Sequence, residues 1–263
     1  MVATLLLSLV IGVVIGLLGA GGSILTVPVL VFVGGAEPHA AVLVSLVVVG
    51  VTSLLTSLWQ ARLGHVRFPV AALFAAVGVP GTWFGAWLAR SWSGRTTLLF
   101  FAAVMAVAGG ATLLRRHSDG GDRKLHGLGY LVLAVLGFAV GTVTGTVGAG
   151  GGFLIVPALV LVAGMPLRDA IGTSLLVIAV NCGSGVWSKW SSAPLDLRLA
   201  ALVTGATLVG AVVGSLVGRK LSVESLKRGF GVLLLLVAAW VGWRGWHERA
   251  TPPSAGTSAS GAR

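Results

Sequence analysis

A glycine-rich break occurs twice in this chain, each time inside a long apolar run that carries no charged residue. The first copy reads Gly19-Ala-Gly21-Gly22-Ser23 and continues to Pro28; the second reads Gly148-Ala-Gly150-Gly151-Gly152 and continues to Pro157. Glycine is a poor helix former, so three or four such residues in close succession open a helix. The N–H groups freed by the opening need partners, which lipid cannot supply; a broken helix at membrane depth is tolerated where it is buried in protein or lines a cavity. The half-helix after each break, starting at Ser23 or Gly152, then presents the positive end of its dipole to that place.

The apolar runs make the setting a membrane. Hydrophobic residues are 56% of the chain, charged residues 10%, and the mean hydropathy is +1.00, against roughly 25% charged residues in a soluble domain. The net charge of +11 comes from Lys and Arg between apolar runs, where they set topology, and nucleic acid is excluded as a partner. The N-terminus has no basic start and no cleavage site, so it reads as a retained membrane segment. The single cysteine, Cys182, cannot form an internal disulfide.

Eight apolar segments follow from the lengths of the runs: 2–33, 39–60, 68–90, 96–114, 127–163, 169–188, 197–218 and 226–246. The two interrupted by a break, the first and the fifth, are longer, as a helix, a break and a half-helix require. Pro80 predicts a kink in the third. The expected fold is an all-α polytopic membrane protein of about eight transmembrane segments, built as two tandem repeats. Each repeat opens with a Gly-broken, discontinuous or re-entrant first helix. One register supports the repeat: positions 129 apart pair Gly12 with Gly141, Ser45 with Ser174, Gly81 with Gly210, Gly85 with Gly214 and Arg90 with Arg219. The units are 1–114, a polar basic linker over 115–126, 127–246, and a disordered Pro/Ser/Gly tail over 247–263.

Eight alternating crossings put eleven of the 18 Lys and Arg on the side of both termini, which places the termini inside. The similar basic ends of the two repeats suit parallel repeats; a hidden re-entrant hairpin in each would invert them. The nine tryptophans fall near segment ends or on the third segment, as an interfacial belt does.

The seven acidic residues and five histidines all fall in loops or at segment ends. That removes a mid-membrane proton carboxylate, a cluster of metal ligands and the catalytic groups of an intramembrane protease. No enzyme, metal or cofactor is expected. The interior offers the breaks and small polar groups: Ser23, Ser45, Thr52, Ser53, Thr173, Ser174, Asn181, Cys182 and Ser184. Glycines in membrane helices often serve only close packing, and hydroxyls often bond their own preceding turn. The duplication of the break favours a site, held by backbone N–H groups with Ser45, Thr52, Thr173, Ser174 and above all Asn181, whose buried amide is costly without a partner. Two half-helix ends, each roughly half a positive charge, suit a small anion.

The duplicated Gly-x-Gly-Gly motif with its proline, and about four apolar segments per half, resembles the TauE/SafE sulfite-exporter family, also called toluene sulfonate uptake permeases. The motif carries over to Gly19, Gly21, Gly22 and Pro28 and to Gly148, Gly150, Gly151, Gly152 and Pro157; the first copy has Ser23 where the second has Gly152. The resemblance implies transport of sulfur oxyanions or organosulfonates across a bacterial inner membrane. The chain is therefore expected to be a multi-pass secondary exporter of sulfite, a sulfonate such as sulfoacetate, or a related oxyanion. Its partners would be that small anion, the lipid bilayer and a second copy of itself as a homodimer. The alternative is a non-transporting membrane subunit that binds a partner through the central linker.

Overall fold

The computed structural model describes residues 2–19, 26–27, 29–31, 33–35, 38–89, 92, 94–114, 127–147, 152–189 and 197–247. Among them the chain is helical, with no strand. In order the helices are α1 (Val2–Leu18), α2 (Pro38–Arg62), α3 (Phe68–Leu88), α4 (Gly94–Leu114), α5 (Gly127–Val147), α6 (Gly152–Leu161), α7 (Leu167–Lys189), α8 (Leu197–Lys220) and α9 (Val223–His247). Seven of these are long and apolar enough to cross a membrane, and α1 is a shorter apolar helix. The protein is thus a multi-pass membrane protein. The second break separates α5 from α6, and α3 continues through Pro80. Helical residues at 26–27 and 29–31 follow the first break.

Close glycine contacts fix how the helices lie. A Cβ on Gly12 or Gly16 would land on the carbonyl oxygen of Thr207 or Ala211; one on Gly210 or Gly214 would land on that of Leu9 or Val13. Both sides advance together, so α1 and α8 run parallel with backbones in contact. The same seam joins α3 to α5: Gly81 and Gly85 face the carbonyls of Phe138 and Thr142, and Gly141 and Gly145 face those of Gly78 and Thr82. Every contact of one seam maps onto the other at the offset of 129. Small residues let backbones meet in a bilayer, where apolar side chains alone gain little over lipid.

The remaining principal pairs run antiparallel. Gly50 approaches Cys182 while Leu46 meets Gly185, so α2 crosses α7 in the opposite sense. Gly109 meets Gly231 and Leu234, and Ala102 meets Gly242, so α4 and α9 do the same. The register pairs α2 with α7 and α4 with α9. The loop charges suit parallel halves; these helices lie antiparallel instead.

One face of the molecule gathers the C-terminal ends of α1 (Gly16, Leu17), α2 (Gln60) and α8 (Ser215, Gly218, Arg219). The starts of α7 (Arg168, Ile171) and α9 (Leu226) join them around one cleft. Hence α1 and α2 run in the same sense, because the chain turns back between them. That overturns the simple alternation of eight crossings. Helix α4, antiparallel to α9, ends on the cleft face, where α5 begins; α1 begins and α9 ends on the opposite face. Assigned by the helix ends they adjoin in sequence, eleven Lys and Arg, not the same eleven, go with the cleft face and seven with the opposite one.

Tryptophans 59, 83, 87, 187, 240, 243 and 246 are exposed on the exterior. The main core joins α1 to α9 around Phe74, Met105, Leu159, Leu175 and Phe230; a smaller cluster holds Leu30, Ala41, Val44, Val48, Ala200 and Val203.

Candidate functional site

The first break begins at Gly19, which caps α1 in the left-handed region at φ 64°. Its N–H donates to the Ile15 carbonyl at 2.8 Å. Helix α7 presses on this turn, since a Cβ at Gly19 would stand 2.6 Å from Ile171 Cγ2 and 2.9 Å from its carbonyl oxygen. Ser174 Oγ lies 3.0 Å from the Gly19 carbonyl and 2.8 Å from the Ile171 carbonyl, so one hydroxyl ties the end of α1 to α7. Gly21, Gly22, Ser23, Pro28, Gly148, Gly150 and Gly151 lie outside the described residues.

The second half-helix is well placed to read. Helix α6 starts at Gly152, is ten residues long, contains Pro157 and packs antiparallel on α7 through the short loop 162–166. Gly152 is buried against the side chain of Ile178, at the middle of α7. The N-terminus of α6 therefore lies at mid-depth, beside Ile178 and one turn of α7 before Asn181 and Cys182. The first N–H groups of a helix have no intrahelical acceptor.

At this level the α2–α7 crossing carries polar atoms with nothing to bond. Gly50 faces Cys182 in the crossing, which sets Thr52 and Ser53 level with the α7 stretch between Ile178 and Asn181. Thr52 and Ser53 are 0% and 1% exposed. Among the described residues, Thr52 Oγ1, Ser53 Oγ and Asn181 Oδ1 are buried without a hydrogen-bond partner. Thr52 and Asn181 stand 129 residues apart, so each half contributes the same position. An orphaned buried polar group costs about 1–3 kcal/mol, and three together mark a place that a polar occupant would stabilise.

Thr4 Oγ1, at the start of α1, is also buried without a partner, whereas Ser45 and Thr173 are engaged. Ser45 Oγ donates to the Val42 carbonyl at 2.8 Å. Thr173 Oγ1 accepts the Arg67 N–H at 3.1 Å and holds the α2–α3 loop on α7. The same loop docks through Asp169, whose carboxylate meets Arg67 Nε at 3.2 Å and His65 Nδ1 at 3.3 Å. Gly172 admits it, because a Cβ there would overlap the His65 carbonyl. In the sequence Asp169, His65 and Arg67 are residues of loops or segment ends, and nothing in their spacing joins positions a hundred residues apart. Ser53 was visible as one small polar residue among several, without a signal to single it out.

The cleft at the α1 end offers about 30 Å³, room for about two waters. His65, Arg168, Arg219, Gln60 and Ser215 line it, and none of the mid-depth orphans does. Arg168 Nη2 reaches the Arg219 and Leu221 carbonyls at 3.4 and 3.5 Å, completing the C-terminal end of α8.

The profile of the family described as Sulfite exporter TauE/SafE matches residues 4–241. A relative from Xylella fastidiosa strain Temecula1, called a probable membrane transporter protein, is 36% identical over 90% of this chain and 92% of its own. The counterpart from strain 9a5c, which bears the same description, is 34% identical over the same shares. The probable membrane transporter protein YunE of Bacillus subtilis is 26% identical over 93% of this chain and 98% of its own. No solved structure matches.

Proposed function

Because the chain belongs to the sulfite exporter TauE/SafE family and is a multi-pass membrane transporter, we propose that it exports a small sulfur-containing anion, sulfite or an organosulfonate such as sulfoacetate, held between two half-helix N-termini. The observation that carries this reading is the opening of α6 at the middle of α7, level with the partnerless Thr52, Ser53 and Asn181. Hydroxyls and a helix N-terminus can donate to oxyanion oxygens, and the dipole favours negative charge. A cation would meet the wrong end.

The binding residues in this reading are Gly19, Gly21, Gly22, Ser23, Ser45, Thr52, Gly148, Gly150, Gly151, Gly152, Thr173, Ser174 and Asn181. Thr52 and Asn181 face the anion. Ser174 and Thr173 shape the α1–α7 junction beside it. The two repeats act as an inverted pair around the site, which the antiparallel crossings of α2 with α7 and α4 with α9 support. Inverted repeats around a mid-depth site, with broken helices aimed at it, are a common architecture for alternating access.

The driving force is the membrane potential. Neither broken run, 1–36 nor 127–163, contains an acidic residue or a histidine to relay a proton. An inside-negative potential already drives an anion outward, by about 2.3 kcal/mol per charge for each 100 mV. In proteoliposomes with equal pH on both sides and an imposed potassium-diffusion potential, sulfite or sulfoacetate flux should follow the sign of the potential. Flux indifferent to voltage but responsive to a pH gradient would refute uniport.

A further inference from the structure

We infer that the mid-depth site takes oxyanions carrying a single negative charge, and prefers one that still bears a proton donor over a fully deprotonated dianion; of the cargoes named above this selects hydrogensulfite and disfavours sulfoacetate, whose sulfonate and carboxylate together carry two charges. The inference rests on the anion reading above and concerns which charge state of the anion is carried.

The first argument is electrostatic. The chain has no Lys, Arg or His from residue 1 to 36 or from 127 to 163. The spanning helices α2 and α7 carry their basic residues only near their ends, at His39 and Arg62 and at Arg168 and Lys189. Positive potential at mid-depth therefore comes from helix ends. Each acts as about half a charge, so even two supply roughly one. The cost of taking a charge out of water grows as its square, while this compensation stays fixed. A monoanion is balanced; a dianion leaves one charge without a partner.

The second argument is the sort of hydrogen-bonding atom left free. Thr52 Oγ1 and Ser53 Oγ belong to hydroxyls, which can donate to oxyanion oxygens. Asn181 Oδ1 can only accept. A deprotonated oxyanion has nothing to give that oxygen. An anion with an O–H group, such as hydrogensulfite, satisfies hydroxyls and carbonyl together. The α6 N-terminus completes the set with N–H donors.

The experiment uses the purified full-length chain in proteoliposomes at a fixed diffusion potential, with equal pH inside and out. Three labelled probes are compared: methanesulfonate, a monoanion at every pH tested; sulfate, a dianion throughout; and sulfite, which passes from one to the other. The expected result is methanesulfonate flux that is flat with pH and at least about tenfold above sulfate. At constant total sulfite, flux should fall by about tenfold for each pH unit above its second ionisation, once that step is passed. Asn181→Leu should slow sulfite on the acid side more than methanesulfonate, which has no proton to offer Oδ1. Sulfate moving as fast as methanesulfonate, or sulfite flux holding level as pH rises, overturns the single-charge inference while leaving an anion carrier. Equal loss of both probes in Asn181→Leu overturns the proton-donor preference. Movement of none of the three overturns the anion reading itself, and this inference with it.

Discussion

Replacing Thr52 by Val should make the protein more stable and less active at once. Thr52 is fully buried and its Oγ1 has no partner. Val keeps the shape and removes an orphaned hydroxyl, whose burial costs about 1–3 kcal/mol; the variant should gain on the order of that amount. Thr56, one turn along the same helix, supplies the control. Its Oγ1 donates to the Thr52 carbonyl at 2.7 Å, so Thr56→Val gives up a satisfied bond and should lose roughly 0.5–1.5 kcal/mol. Two chemically identical changes, one turn apart, are thus expected to move stability in opposite directions. Cys182, the single cysteine and fully buried, gives the assay: its labelling by a fluorescent maleimide in detergent reports unfolding against temperature or denaturant. Transport is measured in parallel as methanesulfonate or sulfite flux per reconstituted protein. The Thr52 variant should carry about tenfold less, or lower still, at sub-saturating anion, since a hydrogen bond to a charged ligand contributes about 1.5–3 kcal/mol. If Thr52→Val destabilises as Thr56→Val does, the hydroxyl has a partner and the orphan argument fails. If it stabilises and transport is undiminished, Thr52 lies outside the site.

The glycine seams predict a matched set of stabilities. Gly85→Ala and Gly214→Ala each put a Cβ on a facing carbonyl and should cost about 1–3 kcal/mol as overpacking does. Gly110→Ala on α4, with nothing within 4 Å, should gain up to about 1 kcal/mol from helix propensity; the same Cys182 assay ranks all three. Topology is testable with reporter fusions: the basic cleft face should lie in the cytoplasm, so a reporter after His247 should be active only in its non-cytoplasmic form, and one in the 115–126 linker only in its cytoplasmic form. Residues 1–114 and 127–246 expressed as separate chains should each be degraded alone and accumulate together, as immunoblots of single and co-expressed halves would record.

Element positions were legible because membrane helices are fixed by length and apolarity. The expected segments 68–90, 197–218 and 226–246 became Phe68–Leu88, Leu197–Lys220 and Val223–His247, and the glycines at 148–152 did separate α5 from α6. The sense of each helix was not legible. Orientation from loop charge requires knowing how often the chain crosses, and a return between α1 and α2 moves the following loops to the other face until the second broken run, where α6 runs back against α5, restores the order. The site was legible by residue type only. Asn181 stood out because few amides are buried without reason, whereas Thr52, Thr56 and Thr173 look alike in sequence. What separates them is whether a neighbour answers the hydroxyl: Thr56 finds the carbonyl one turn back, Thr173 finds the Arg67 amide, and Thr52 finds nothing. Gly12, Gly16, Gly81 and Gly85 were markers of a repeat in the sequence; their partners, nearly 200 and about 60 residues away, made them seams.

Those seams also decide which parts of the chain can move against which. The most extensive helix contacts, α1 with α8, α3 with α5, α2 with α7 and α4 with α9, all join residues before the linker to residues after it. The two halves of the sequence are therefore interleaved and do not form two separate bodies. Along α1–α8 and α3–α5 the backbones touch, leaving no side-chain layer that could slide or repack, so each pair behaves as one rigid unit. The α2–α7 crossing differs: its glycines meet side chains and not backbone, a Cβ on Gly50 standing 3.0 Å from Cys182 Cβ and one on Gly185 3.2 Å from Leu46, with the orphaned polar atoms beside them. Rearrangement there breaks no hydrogen bond of Thr52, Ser53 or Asn181, because those atoms have none to lose. Where the packing is most yielding and the polar groups are least satisfied, both the binding of a cargo and a change of access would meet the smallest resistance.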